Sequence, residues 1–172
     1  ATTSTTEGGF SGTIDPSSSS TQVISAADSP NLGNATVSFA PGTFSSVTAV
    51  TVSPGGALVS QALASAINID AGSVVEASQP VAVTSDREEN PLNPFSISIQ
   101  VVGAAASLRI TGDYTVVIFY KAIDYASKSI VTGVIPSTEI AYVGSFATFK
   151  TPYLGTYQAA FVEKPITVAA KV

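Results

Sequence analysis

An all-β fold, an antiparallel β-sandwich of about ten strands, is what this 172-residue sequence predicts. Apolar residues recur at every second position through short runs, the period of a strand with one buried face. Gly, Pro, Asn and Asp break those runs at intervals, as turns do in sandwiches. Helical spacing surfaces in one segment, residues 57–68, which also reads as a strand followed by irregular chain.

The elements follow in order. Residues 1–22, "ATTSTTEGGFSGTIDPSSSSTQ", are small and polar and read as a flexible lead. Phe10 and Ile14 are its exceptions, placed to dock on the domain that follows. A lead of this kind tethers a folded module to a lipoprotein-type anchor or to a membrane. Residues 23–172 read as one sandwich domain. In "NATVSFA", Val37 and Phe39 alternate with Thr36 and Ser38, and Pro41 with Gly42 turns the chain. "SVTAVTV", residues 46–52, is β-branched and ends at "SPGG". Pro80 opens a strand over 80–85, at the position where its missing N–H is tolerated. Phe95, Ile97, Ile99 and Val101 alternate with Ser96, Ser98 and Gln100. "YTVVIFYKA", residues 114–122, is the most apolar run and reads as the central strand. Strands over 129–135, 140–143, 146–150 and 157–162 complete the set. In the last, Tyr157, Ala159 and Phe161 share parity and face the core. This rhythm fits an immunoglobulin-like sandwich, with a closed barrel as the other way to pair such strands.

Charged residues make up 11% of the chain, against about 25% in ordinary soluble domains. Polarity rests instead on Ser, Thr, Asn, Gln and Gly, a habit of secreted and surface proteins. The 7 basic residues are scattered and the net charge is −5, so no patch neutralises a row of phosphates and nucleic acid is not an expected partner. No apolar run nears the roughly 18 residues that span a bilayer. The chain has no Met and begins at Ala1, as a chain does after removal of a secretory leader. The expectation is a secreted, periplasmic or surface-anchored protein.

His and Cys are both absent. Ser–His–Asp and Cys–His catalysis are therefore excluded within the chain, as are imidazole and thiolate zinc sites. Neither GxGxxG nor GxxxxGK[ST] occurs, and no Ser stands three residues before a Lys. What remains is carboxylate chemistry, which a glycosidase performs with paired acids, and calcium. Asp113 and Asp124 flank the most apolar strand and lie too far apart to form such a pair.

Two loops carry the candidate residues. "TSDREENPLNP" holds the densest charge, and its prolines stop helix and strand alike. Asp86, Glu88 and Glu89 are candidate calcium ligands there, although Arg87 opposes a cation and the spacing is not that of an EF-hand. The other reading is a solvated connection whose charges blunt a sheet edge. Arg87, Asn90 and Asn93 are candidate partner contacts. In "AIDYASKS", Asp124, Tyr125 and Lys128 are further partner-binding candidates, with a plain hairpin as the alternative. "NAT" at Asn34 matches a glycosylation acceptor.

"ATVSFAPGTFSSVTAVTVSPGGAL" and "SFATFKTPYLGTYQAAF" resemble the opening strand–turn–strand and the closing aromatic strand of the zona-occludens/netrin-receptor type sandwich domain and related bacterial surface modules. The resemblance implies a β-sandwich used for interaction in surface proteins. The self-cleaving His-Phe-Ser beside some of those domains has no counterpart, because His is absent.

The functional expectation is a non-enzymatic extracytoplasmic module with a structural, adhesive or partner-binding role at the cell envelope. Its partner would be a protein or glycan, and no cofactor is expected. A carbohydrate-binding or calcium-assisted module and a carboxylate-dependent hydrolase are the alternatives.

Overall fold

The computed structural model describes residues 3–6, 9–25, 35–55, 74–101, 114–143 and 145–163. Its strands are β1 (Thr3–Thr6), β2 (Gly9–Ile14), β3 (Gln22–Ser25), β4 (Ala35–Phe39), β5 (Thr48–Pro54), β6 (Val74–Glu76) and β7 (Val81–Ser85). They continue with β8 (Phe95–Gln100), β9 (Tyr114–Asp124), β10 (Ser129–Ile135), β11 (Ala141–Val143), β12 (Phe146–Thr151) and β13 (Leu154–Glu163). All described pairings are antiparallel. One sheet has 8 strands in the order β1-β2-β5-β7-β13-β9-β10, with β6 also on β13; the other has 5, ordered β11-β12-β8-β4-β3. The larger sheet carries more strands than either sheet of an immunoglobulin domain, so the likeness stops at the two-layer antiparallel architecture. Residues 57–68, Asn34 and Asp113 lie outside the described residues.

Side-chain parity builds the core. Phe95, Ile97, Ile99 and Val101 are buried, while Ser96, Ser98 and Gln100 are only half-buried. On β5 the inward set is Thr48, Val50 and Val52, and Ala49 points out. On β13, Tyr157, Ala159 and Phe161 face the core cluster. Two aromatic groups fill the layer between the sheets. Phe39 lies 5.1 Å from Phe95 and 5.5 Å from Phe44, and Tyr157 lies 5.5 Å from Phe149 and 5.9 Å from Tyr120.

The structure corrects the sequence reading in two places. Residues 9–22 are not a free lead. β2 pairs with β5, placing Phe10 opposite Val52 and Ile14 opposite Thr48, and Ile14 is buried. Buried Gln22 then fastens the crossing into β3, accepting from Asp15 N–H at 3.1 Å and donating to Asp15 O at 2.7 Å. A polar composition hid a strand that needs one face covered, not two.

The second correction concerns β9. It is not central but lies between β13 and the edge strand β10. Its apolar run has another cause. Val116 and Ile118 join the core cluster, while Val117 and Phe119 are buried on the opposite face beside Ala160 and Gln158. Burial on both faces, not position in the sheet, demands continuous apolarity. Gly155 permits the tight pairing at the end of this contact. A Cβ there would strike Ala122 Cα and come within 2.6 Å of Lys121 O.

Candidate functional site

Four connections between the sheets gather at one end of the sandwich. Residues 15–21, 40–47, 86–94 and 152–153 cross between the sheets there, beside the β9–β10 hairpin. Register places them together: Thr48 pairs with Ile14, Val50 with Ser85, Phe95 with Thr151, and Leu154 with Ile123.

The 86–94 crossing leaves β7 in an ordered way. Asp86 N–H donates to Ala49 O at 3.0 Å, and its Oδ1 accepts from Ala49 N–H at 3.1 Å. The carboxylate thereby extends the β5–β7 ladder by one position. Ser85 Oγ donates to Arg87 O at 2.7 Å and accepts from Arg87 N–H at 3.2 Å. The Arg87 guanidinium grips both oxygens of Glu89, at 3.2 and 3.3 Å, which holds the guanidinium above its ordinary pKa. That pair is exposed and adds little stability. Ser45 Oγ also donates to Glu89 at 3.5 Å. Further on, Leu92 N–H donates to Thr43 O at 2.6 Å, and Asn93 Nδ2 donates to Gly42 O at 3.2 Å. Gly42 sits at φ +80°, the left-handed backbone its turn requires.

Asn90 joins this crossing to the hairpin. Its Nδ2 donates to Asp124 Oδ1 at 2.7 Å, and its Oδ1 accepts from Tyr125 N–H at 3.0 Å. Asp124 Oδ1 also accepts from Ala126 N–H at 3.0 Å, an Asx turn that shapes the four-residue loop. Hydrogen bonding from Asn90 above all, and then from Ala126 and Ser127, holds the Asp124 carboxyl below its ordinary range. Lys128 closes the loop at φ 57°, left-handed for a non-glycine residue.

The structure thus brings Asn90, Asp124 and Tyr125 together and engages two of the three carboxylates proposed for calcium in other bonds. Asp86 serves the sheet ladder, Glu89 serves Arg87, and Glu88 is exposed. Among the described residues no group of three acidic side chains could hold a metal ion. Tyr125 is half-buried and packs against the core cluster, so it is a support more than an exposed contact. Leu92, which sequence reasoning passed over, is 65% exposed in the middle of the crossing. Its two flanking prolines were the available signal, since they hold it out of any strand.

No helix among the described residues is long and apolar enough to cross a membrane. No known family model matches the chain, and no curated protein matches it.

Proposed function

We propose that this protein is a non-catalytic β-sandwich of the cell envelope, outside the cytoplasm, that engages a protein or glycan partner through the crossing-loop end. The observation that carries this reading is the Asn90 brace. One amide side chain fastens two exposed loops to each other by hydrogen bonds of 2.7 and 3.0 Å. A connection that only has to stay wet needs no such fastening. A recognition surface gains from it, because loops ordered in advance lose less entropy on binding.

Exposed Leu92, with Arg87, Glu88 and Lys128 on the same two connections, supplies one apolar contact among charges, the composition of a small interface. The absence of His and Cys, and the engagement of Asp86 and Glu89 in structural bonds, support a role without catalysis. The resemblance to zona-occludens type surface modules points the same way.

The test is co-sedimentation of the purified chain with envelopes of the cell that makes it. The wild-type chain is expected in the pellet, and the R87A/L92D double variant in the supernatant with its unfolding midpoint unchanged. A wild-type chain that stays in the supernatant refutes the proposal, as does a variant that pellets equally well.

A further inference from the structure

On the side of the sandwich where β10 and β11 are the outer strands of their sheets, two adjoining hollows share Glu139 and Lys150. One, of about 320 Å³, is lined also by Tyr120, Tyr153, Thr151 and Pro136. The other, of about 400 Å³, runs on over Phe149, Thr148 and Ser96. Both volumes fall within the range of small-ligand sites, about 300–1,000 Å³. From this lining we infer that the groove binds a neutral oligosaccharide, a contact that reaches the 152–153 crossing but includes neither Arg87 nor Leu92.

The aromatic floor is fixed in advance. Tyr120 stacks on Tyr157 with centroids 5.9 Å apart and planes at 28°. Its ring leans over Gly133, its cross-strand partner, where a Cβ would come within 2.7 Å of the tyrosine hydroxyl. Gly133 therefore makes the space that Tyr120 occupies. Beneath it, Tyr157 O–H donates to Tyr153 O at 2.5 Å and meets Thr151 Oγ1 at 2.6 Å, which holds the 152–153 crossing and so the backbone of Tyr153.

The polar groups are open. Among the described residues, the Tyr120 and Tyr153 hydroxyls, the Glu139 carboxylate and the Lys150 ammonium make no hydrogen bond or ion pair. Glu139 and Lys150 line the same wall without pairing to each other, one an acceptor and one a donor. Burial, then Tyr153 and Glu139 nearby, hold the Tyr120 hydroxyl above its ordinary pKa, so it keeps its proton as a donor.

A sugar matches this set. Its C–H face packs on an aromatic ring, and its hydroxyls both donate and accept. A phosphate would want more than the single cation Lys150, with Glu139 beside it opposing the charge. A purely apolar ligand would want an enclosed site, and these hollows are open, the one beside Tyr120 half polar. Cleavage would need a second carboxylate, and Glu139 is the acidic residue lining either hollow among the described residues. The geometry therefore fits binding without hydrolysis.

The test is a titration of ¹⁵N-labelled protein, followed by amide chemical shifts, with chitotriose, cellotriose, xylotriose and maltotriose, and with inorganic phosphate as the control. At least one trisaccharide is expected to shift the amides of Tyr120, Gly133, Lys150 and Tyr153 saturably, while phosphate leaves them in place. Y153A and E139Q, each folded by spectral dispersion, should each weaken that binding about tenfold. G133A, which displaces the Tyr120 ring, should weaken it at least as much. The inference is overturned if no trisaccharide moves those amides, if phosphate moves them as strongly, or if Y153A and E139Q bind like wild type.

Discussion

Asn90 and Asp124, 34 positions apart in sequence, are joined by a hydrogen bond of 2.7 Å, and the same Asn90 amide takes the next backbone N–H, Tyr125, at 3.0 Å. The chemistry fixes which way the amide points. An ionised carboxylate only accepts, so the NH₂ group faces Asp124 and the carbonyl oxygen faces the N–H of Tyr125.

Asn90→Ala removes both bonds at once. The amide of Tyr125 should then exchange about tenfold faster, while amides in the middle of β8 keep their protection. The check is hydrogen exchange on the two chains side by side. Unchanged exchange at Tyr125 would show that the brace carries no weight.

Asn90→Asp is a sharper test. It sets a second carboxylate against Asp124, so it should destabilise the chain more than Asn90→Ala near neutrality. In acid the order should reverse, because one of the two carboxyls then carries a proton and donates to the other. Urea unfolding of both variants near neutrality and at about pH 4 checks this.

Asp124 also gives the wild-type chain a pH dependence of known sign. Its folded pKa lies below the ordinary value of 3.8, chiefly through the Asn90 bond, so the unfolded chain takes up the proton first as acid is added. The contribution is whole above about 3.8 and fades as the pH falls through the lower folded value. Asp15, held low by Ser17, adds a term of the same sign. The gap in urea midpoint between wild type and Asn90→Ala should therefore narrow as the pH falls below about 3.8. A gap that widens there would contradict the assignment.

Tyr157→Phe keeps the ring stacks and deletes the hydroxyl that donates to Tyr153 O and meets Thr151 Oγ1. Thr151 is buried, so its own hydroxyl loses a partner where water cannot replace it. The expected cost is about 1–3 kcal/mol in urea unfolding. A loss much smaller than that would mean the crossing is held by packing alone.

Gly155→Ala should cost at least as much, about 1–3 kcal/mol or more, because its Cβ meets the backbone of Ala122 and Lys121 and not a flexible side-chain end. Gly42→Ala is strained for a different reason, its φ of +80°. The two losses should add, since β13 and the 40–47 crossing share no packing partner named above.

Much of the sandwich was legible because strand parity is local. The alternation in β8 and the shared parity of Tyr157, Ala159 and Phe161 needed only neighbouring residues. β9 misled because continuous apolarity reports burial on both faces, and a strand next to the edge can be covered on both. β2 was missed because Gly, Ser and Thr hide a strand that buried Ile14 anchors. The loops were legible one at a time, from charge and turn chemistry, but their joining through Asn90 was not, since no local pattern encodes a contact 34 positions away. The groove left one trace, a glycine inside the strand pattern of "IVTGVI", the mark of a close approach by another group.

The central claim is that the braced loop end is the surface this protein presents to its partner. The most direct measurement is hydrogen exchange of the chain bound to its cell envelope against the chain free in solution. The account predicts new protection at the amides of 86–93 and 125–128, with the far ends of β8 and β12 unchanged. Binding that protects those far ends and leaves both loops exchanging freely would contradict it.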